Sequence, residues 1–209
     1  MAEISMNKVI HNAVRRDLTR FLDALDRFPA GDQARARQLA TAWANFDDQL
    51  TQHHEGEHEI VWPAIEAVGV TQAQIAEMDE EHQRLADALA TTSTCFAALA
   101  RSASAADAAA ARQAVETVQT VGAQHMEHEE TDLEPIYLTK KDDPAIKAME
   151  RKFRRSSLPV TGTFLAWITD GATSEEMTAI KQNVPAPAIV IVGGLFGRRY
   201  RRDVASVWR

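Results

Sequence analysis

Cysteine is almost absent from this chain of 209 residues, where Cys95 stands alone. One thiol excludes an internal disulfide framework and fits a reducing cytoplasm. Its neighbours Thr94 and Phe96 mark an ordinary buried thiol, and no histidine stands near it in sequence to activate it. Glycine and proline are scarce as well, at 9 and 7 residues. Few positions therefore demand a turn, and the dominance of Ala, Leu, Glu, Gln and Arg predicts a mostly helical chain. Long hydrophobic runs are missing: the longest, residues 186–196, falls short of the roughly 20 residues that span a bilayer. No transmembrane segment is expected. The N-terminus, Met1-Ala2-Glu3-Ile4, lacks the basic and apolar regions of a secretion signal, which makes the cytoplasm the expected location. Positive charge is in deficit, with 23 basic against 30 acidic residues and a net charge of −7, which argues against general nucleic-acid binding. The deficit is uneven. Residues 1–150 hold 13 basic and 26 acidic residues, whereas residues 151–209 hold 10 and 4.

Histidine, by contrast, occurs in a pattern. The stretches His53-His54-Glu55-Gly56-Glu57-His58-Glu59-Ile60-Val61-Trp62-Pro63 and His125-Met126-Glu127-His128-Glu129-Glu130-Thr131-Asp132-Leu133-Glu134-Pro135 nearly repeat each other. Both read H-x3-E with a proline six positions after the glutamate, and they lie 72 residues apart. His11 and His82 lie 71 apart. The chain reads as one helical hairpin written twice, each copy carrying a histidine and then a His/Glu pair.

Apolar residues spaced by threes and fours predict four amphipathic helices. The first covers residues 5–28, with Ile4, His11, Val14, Leu18, Leu22, Leu25 and Phe28 on its stripe, and stops at Pro29-Ala30-Gly31. The second covers residues 32–69, capped by Asp32, with Leu39, Trp43, Phe46, Leu50, His53, Glu57, Ile60 and Ala64 inward. The third begins after Thr71 and carries Ile75, Met78, His82, Leu85, Leu89, Phe96 and Leu99. The fourth covers residues 105–137 with Val115, Val118, Gly122, His125, Glu129 and Leu133. Short connections then predict an all-α, up-down-up-down antiparallel four-helix bundle over residues 1–140. Residues 141–209 are expected to form a basic helical extension packing on it.

In an antiparallel hairpin, residues equidistant from the turn are level with each other. The midpoint of His11 and His53 is residue 32, in the first turn. That of His82 and His125 falls between Ala103 and Ser104, and that of Glu57 and His82 between Gly69 and Val70. His11, His53, Glu57, His82, His125 and Glu129 thus share one layer, roughly 30 Å from the first and third turns at 1.5 Å per residue. Four imidazoles and two carboxylates are costly to bury together unless a pair of cations satisfies them. The second helix also offers His54/His58, but these fall about 100° off the apolar stripe, and the repeat matches His53 and Glu57 to His125 and Glu129. His54, His58, His128 and Glu130 are assigned to flanking positions, as outer hydrogen-bond partners or solvated residues. Pro63 and Pro135 are expected to kink or end their helices and close the metal-bearing end.

With these residues in place, the chain resembles the hemerythrin-like family, the HHE cation-binding domain, over roughly residues 5–140. The resemblance is carried by His11, by H-H-x2-E-H-x4-P at 53–63, by Glu81-His82, and by H-x3-E-E-x4-P at 125–135. It implies a non-heme di-iron centre, with two iron ions bridged by an oxo or hydroxo group. Manganese and zinc are other cations that suit imidazole and carboxylate. It further implies that His11 and His53 hold one iron and His82 and His125 the other, with Glu57 and Glu129 bridging. The oxygen-carrying members place two histidines four apart on the third helix, whereas Met78 and Ala86 stand four from His82 here. They use an aspartate five residues after the last histidine, whereas this chain offers Glu129. On that comparison the set is one imidazole short of a carrier's, which points to reactive or sensory chemistry.

A lid of Trp62, Val61, Leu18 and Leu85 is expected to admit only dioxygen, nitric oxide or peroxide. Three readings follow. One is a di-iron protein that binds or reduces such a ligand under oxidative or nitrosative stress; as an enzyme it would be an oxidoreductase consuming peroxide or nitric oxide. The second is an iron or oxygen sensor whose fold depends on the metal. The third is a zinc-binding or metal-free scaffold. In the tail, residues 147–153 continue as helix, Leu158-Pro159 breaks it, and residues 163–168 form an apolar turn. Thr173-Ser174-Glu175-Glu176 starts a helix, and residues 185–202 form an apolar-then-basic one. Its arginines offer a contact for a partner protein or a membrane surface.

Overall fold

Each long helix starts where a side chain can satisfy its free N–H groups. Ser5 caps α1 (Met6–Asp26), its hydroxyl accepting from the Lys8 N–H at 2.9 Å. Asp32 caps α2 (Gln33–Gly56) through the Arg35 N–H at 2.8 Å. After a short α3 (Trp62–Glu66), Thr71 and Gln74 form a reciprocal capping box at the start of α4 (Gln72–Ser102). Ser104 caps α5 (Ala105–His128) through the Asp107 N–H. A last short helix, α6 (Glu134–Thr139), completes this part of the chain. The computed structural model describes residues 4–153 and 156–209, and the described residues contain helix and turn but no strand. Residues 1–3, part of the N-terminal stretch read for a secretion signal, and Arg154 and Arg155, counted in the tail's charge, lie outside the described residues.

The repeat persists in the backbone. α2 and α5 are 24 residues long, and each runs directly into a five-residue π-helical turn, Glu57–Val61 and Glu129–Leu133. Each π turn is followed by a short α-helix with proline in its first turn. Of the two outcomes expected at Pro63 and Pro135, a kink or an end, the second does not occur. The wide turn accommodates the ring and the missing N–H, and the helical path continues to Glu66 and Thr139. Such wide turns also re-aim the side chains at their start, which here are Glu57 and Glu129.

α4 lies along both α2 and α5, and α1 along α5. Gly31, at φ +89°, donates its N–H to the Ala103 carbonyl at 2.7 Å, so the α1–α2 and α4–α5 turns meet at one end. That end holds a large apolar cluster, in which Trp43 stacks on Phe96 at 4.9 Å and Phe21 meets both edge-on. A smaller cluster of Trp62, Ile65, Met78 and Leu133 fills the other end.

The remaining described residues are mostly helical and divide their contacts between both ends. α7 (Pro144–Phe153) buries Ile146 and Met149 in the smaller cluster. α8 (Leu158–Thr169) and α9 (Ser174–Asn183) lie on α1, the second opened by a Thr173/Glu176 capping box. A π-helical turn (Ala188–Val192), α10 (Gly193–Phe196), α11 (Arg198–Asp203) and a 3-10 turn (Ala205–Trp208) lead back to α2. Two tail expectations change here. The apolar segment 163–168 is the second half of α8, and the helix expected over 185–202 is interrupted at Gly197. That glycine sits against α8, where a Cβ would crowd Ala166 Cβ and the Gly162 carbonyl.

One buried polar cluster joins tail and bundle. Asp17, 2% exposed, accepts from Trp167 Nε1 at 2.8 Å, Arg16 Nε at 2.9 Å and Arg20 Nη1 at 3.1 Å. Arg20 also reaches Asp170 at 3.0 Å, which accepts from the Tyr200 hydroxyl at 3.2 Å. Burial, together with Asp17 and Asp170, pushes the Tyr200 phenol well above its ordinary pKa. Trp208 closes the cluster edge-on against Phe21 at 4.9 Å.

Candidate metal centre

The His and Glu side chains stand between the two apolar clusters. Leu50 and Trp62 bracket them along α2 and its extension, Leu85 and Met78 bracket His82 on α4, and Leu133 follows Glu129. Two groups form there. His54, Glu57, His82 and His125 each bring one ligand atom within 4.8 Å of the others, and His11, His53, Glu57 and Glu129 do the same. All six residues expected from the spacing are brought together, and Glu57 belongs to both groups.

His54 is the residue that sequence reasoning missed. It was placed in a flanking position because it lies off the apolar stripe, yet it is 9% exposed and its ring stacks on His82 at 4.2 Å. The helical wheel explains this. Glu57 lies about 40° to one side of His53 and about 60° to the other side of His54, so all three share one inward sector. The adjacent pair in H-H-x2-E was signal enough. The repeat misled because position 126 holds methionine, and Met126 is equally buried, at 3%. The set is thus five imidazoles and two carboxylates. The apparent shortage of an imidazole disappears, and the preference for reactive over carrier chemistry drawn from it goes too. His58, with a side chain 66% exposed and 3.2 Å from Asp79, does stay outside.

Both carboxylates reach across the two groups. Glu57 places Oε1 3.1 Å from His53 Nε2 and Oε2 3.5 Å from His82 Nε2. Glu129 Oε2 lies 3.1 Å from His11 Nε2 and 3.9 Å from His125 Nε2. His82 Nε2 and His125 Nε2 are 3.1 Å apart, about the separation of neighbouring donors that each sit ~2.1 Å from one cation. His54 Nε2 is buried without a hydrogen-bond partner, and His11 Nε2, His53 Nε2 and Glu57 Oε2 are buried beside other donor atoms of the layer without a well-aligned hydrogen bond. Polar atoms are rarely left this way, and several aimed into one space cost more still. A pair of cations fits this donor set.

Two outer carboxylates hold the rings. Glu130 Oε1 lies 2.9 Å from His11 Nδ1 and accepts from Arg15 at 2.8 Å, while Lys8 reaches Oε2 at 2.6 Å. Glu81 Oε2 lies 3.2 Å from His125 Nδ1, and its Oε1 lies 3.1 Å from His128 Nδ1. A proton on Nδ1, donated to the carboxylate, leaves the Nε2 lone pair facing the centre. The sequence shows Glu81 only as a neighbour of His82, whereas the structure sets it behind His125, a donor of the same group. Trp62 stacks on His82 at 5.6 Å and donates Nε1–H to Asp79 at 2.9 Å.

Burial, then the crowding of neighbouring imidazoles, lowers the pKa of His53 to about 3, of His82 to about 4, and of His54 well below its usual value. These rings are therefore neutral donors at ordinary pH. Burial first, then Glu129, raises Glu57 well above the usual carboxylate range. For Glu129 burial is outweighed by His11, His125 and His53, which hold it down. For His11 burial is outweighed by Glu129 and Glu130, which raise it.

Helices that present clustered nitrogen and oxygen donors in one buried layer define a helical cation-binding protein. The model of the hemerythrin HHE cation binding domain matches residues 4–151, and the chain belongs to that family. No curated protein and no solved structure matches the chain.

Proposed function

We propose that residues 1–140 form an up-down-up-down four-helix bundle holding two non-heme iron ions, and that this centre binds or reduces dioxygen, nitric oxide or peroxide in the response to oxidative or nitrosative stress. The observation that carries this reading is the convergence of seven donors into two groups sharing Glu57. His54, His82 and His125 with Glu57 would hold one ion, and His11, His53 and Glu129 with Glu57 the other. Bound iron would supply the redox-active, open-coordination chemistry that such ligands require.

The chain's own residues do the rest. Four donors per group are fewer than an octahedral ion takes, which leaves room for a small molecule. No donor side chain among His11, His53, Glu57, His82, His125 and Glu129 is more than 11% exposed, so anything larger than a few atoms is excluded. Trp62 covers His82, while Glu130 and Glu81 keep the Nε2 atoms of His11 and His125 available. Cys95 as the sole thiol keeps the cytoplasm as the proposed location.

Iron content measured with the optical spectrum tests the reading. The protein should carry iron, and its visible spectrum should change on exposure to at least one of dioxygen, nitric oxide and peroxide. Bound iron with a spectrum indifferent to all three would overturn it. The buried donors without well-aligned hydrogen bonds favour a second reading, an iron sensor whose bundle loosens without metal. In that case the metal-free protein should be digested by protease far faster than the loaded one, whereas a preformed catalyst should resist similarly in both states. Zinc, or no metal at all, in the purified protein would instead support the scaffold reading.

A further inference from the structure

Exposed apolar side chains are concentrated in one region. Leu138 and Phe153 apart, the exposed large hydrophobics among the described residues are Leu158, Val160, Val190, Ile191, Leu195 and Phe196, with Val190 at 71%. They belong to α8 and to the segment Ala188–Phe196, which cross closely at Gly162, where a Cβ would meet the Val192 carbonyl at 2.8 Å. Immediately beyond Gly197, α11 carries Arg198, Arg199 and Arg202 at the surface. The Arg199 and Arg202 side chains are 87% and 75% exposed; Arg202 donates to Asp203 at 2.7 and 2.8 Å, and Arg199 lies 3.8 Å from the same carboxylate. Arg201 ties the basic helix to the apolar segment by donating to the Gly193 and Gly194 carbonyls at 3.0 and 2.6 Å.

The occupant of this surface must meet aliphatic side chains and arginines together. A second copy does this poorly in either arrangement. Its acidic part, residues 1–150, offers only Leu138, at 39%, as an exposed large hydrophobic among the described residues, too little to match Val190 and Ile191. A tail-to-tail pair would bring two arginine clusters together. An anionic lipid surface supplies an apolar interior and negative headgroups side by side. The charge distribution agrees: residues 151–209 are basic by 10 to 4 and residues 1–150 acidic by 26 to 13, so such a surface attracts the tail and repels the bundle.

We propose that the surface built from α8, Ala188–Phe196 and α11 docks this protein onto an anionic lipid surface, with Val190, Ile191 and Leu195 entering the headgroup region and Arg198, Arg199 and Arg202 meeting lipid phosphates. The segment lies on the bilayer and does not cross it. Among the described residues no single helix is long and apolar enough to span, and α9 and Ala188–Phe196, which qualify only jointly, meet at 111°. α9 is moreover committed to the bundle through buried Ala179 and Ile180.

Co-sedimentation of the full chain with vesicles tests this. Vesicles of phosphatidylcholine containing phosphatidylglycerol should bind it, and phosphatidylcholine alone should bind at least ~10-fold less, as should the mixed vesicles in high salt. Arg198→Glu with Arg199→Glu and Arg202→Glu, and separately Ile191→Asp with Leu195→Asp, should each reduce binding by about tenfold or more while helicity and metal content stay unchanged. The wild-type comparison of the two vesicle types decides the matter even if a variant misfolds. No binding to the mixed vesicles, or equal binding to both, would overturn the proposal. A dimer in sedimentation velocity that Ile191→Asp with Leu195→Asp dissolves, without vesicle binding by the wild type, would assign the surface to a second copy instead. Metal content plays no part in the outcome, so the docking surface stands or falls apart from the proposed iron chemistry.

Discussion

Glu57 is asked to satisfy both groups at once, with one oxygen beside His53 and the other beside His82. Its loss should therefore be felt twice. Glu57→Ala is expected to abolish stable binding at both positions, while His54→Ala should lower the metal from about two ions per chain to about one. His58→Ala, at an exposed position, should leave the content unchanged. Metal analysis of the three purified variants checks this, and loss of an ion from His58→Ala but not from His54→Ala would restore the ligand choice made from spacing alone. That choice leaves His54 out for a physical reason. A stripe drawn through Leu50, His53 and Glu57 treats the inward face as a line, whereas a layer of ligands at the centre of four helices draws on a sector about 100° wide. Glu130 holds His11 at Nδ1 and is itself held by Lys8 and Arg15. Glu130→Gln should weaken cation affinity by roughly 10- to 100-fold with helicity intact. A titration with ferrous iron showing unchanged affinity would mean that the ring of His11 is held by packing alone.

Helix boundaries were largely legible because their causes are local. Ser5, Asp32, Thr71, Ser104 and Thr173 each cap a helix near where a reader of side-chain chemistry would start one. The π turns were not legible, since they answer two demands, accommodating a proline and aiming a glutamate inward, that only the packed layer makes visible. α1 shows the same limit at a larger scale. Its apolar stripe accounts for Val14, Leu18 and Leu25, but Asp17 is also buried, because a second face lies under the tail, and Phe21 is buried between Trp43 and Phe96 on one side and Trp208 of the tail on the other. Asp17 is what that tail holds: it accepts from Trp167 and from two arginines of α1 itself. Asp17→Ala would leave the buried Trp167 indole N–H without an acceptor and remove a carboxylate from Arg16 and Arg20, whose side chains are only 18% and 24% exposed, Arg20 keeping Asp170. A loss of about 1–3 kcal/mol is expected, read as a lower midpoint in urea unfolding. Trp167→Phe, which removes the donor together with the need for it, should cost less. If both substitutions are silent, the tail is held by its apolar contacts alone.

At the scale of the molecule, the layered plan was readable from mirror distances about the turns, since level residues in neighbouring helices must share a layer whatever the details of packing. What those distances could not convey is how unwelcome the layer is without metal. In the metal-free chain, His53, His54 and His82 are held neutral below their ordinary pKa of 6.5, to about 3 for His53 and about 4 for His82. As pH falls below 6.5, the unfolded chain takes up protons that these buried rings refuse, so each weakens folding progressively until its own folded-state pKa is reached. His11, whose pKa is raised, contributes stability that is already fully present below 6.5 and so does not change in this range. Glu57, also raised, gains as pH falls toward 4.5 and opposes the trend with one group against three. Glu129 and Glu130, both depressed, begin to cost stability only as pH falls below 4.5. Between pH 6.5 and 4.5 the balance runs toward unfolding, at about 1.4 kcal/mol per pH unit for each unopposed group. The melting temperature of chelator-treated protein should accordingly drop by ~5 °C or more across that window. At pH 7 iron loading should raise it, because a ligand that binds only the folded state stabilises it by mass action. The advantage should shrink on acidification as protons compete for the imidazoles. Circular dichroism melts of loaded and metal-free protein at matched pH check both statements. A metal-free chain that melts at the same temperature throughout this window, and as high as the loaded one at pH 7, would mean that the buried imidazoles have found partners of their own and that the layer does not depend on a cation.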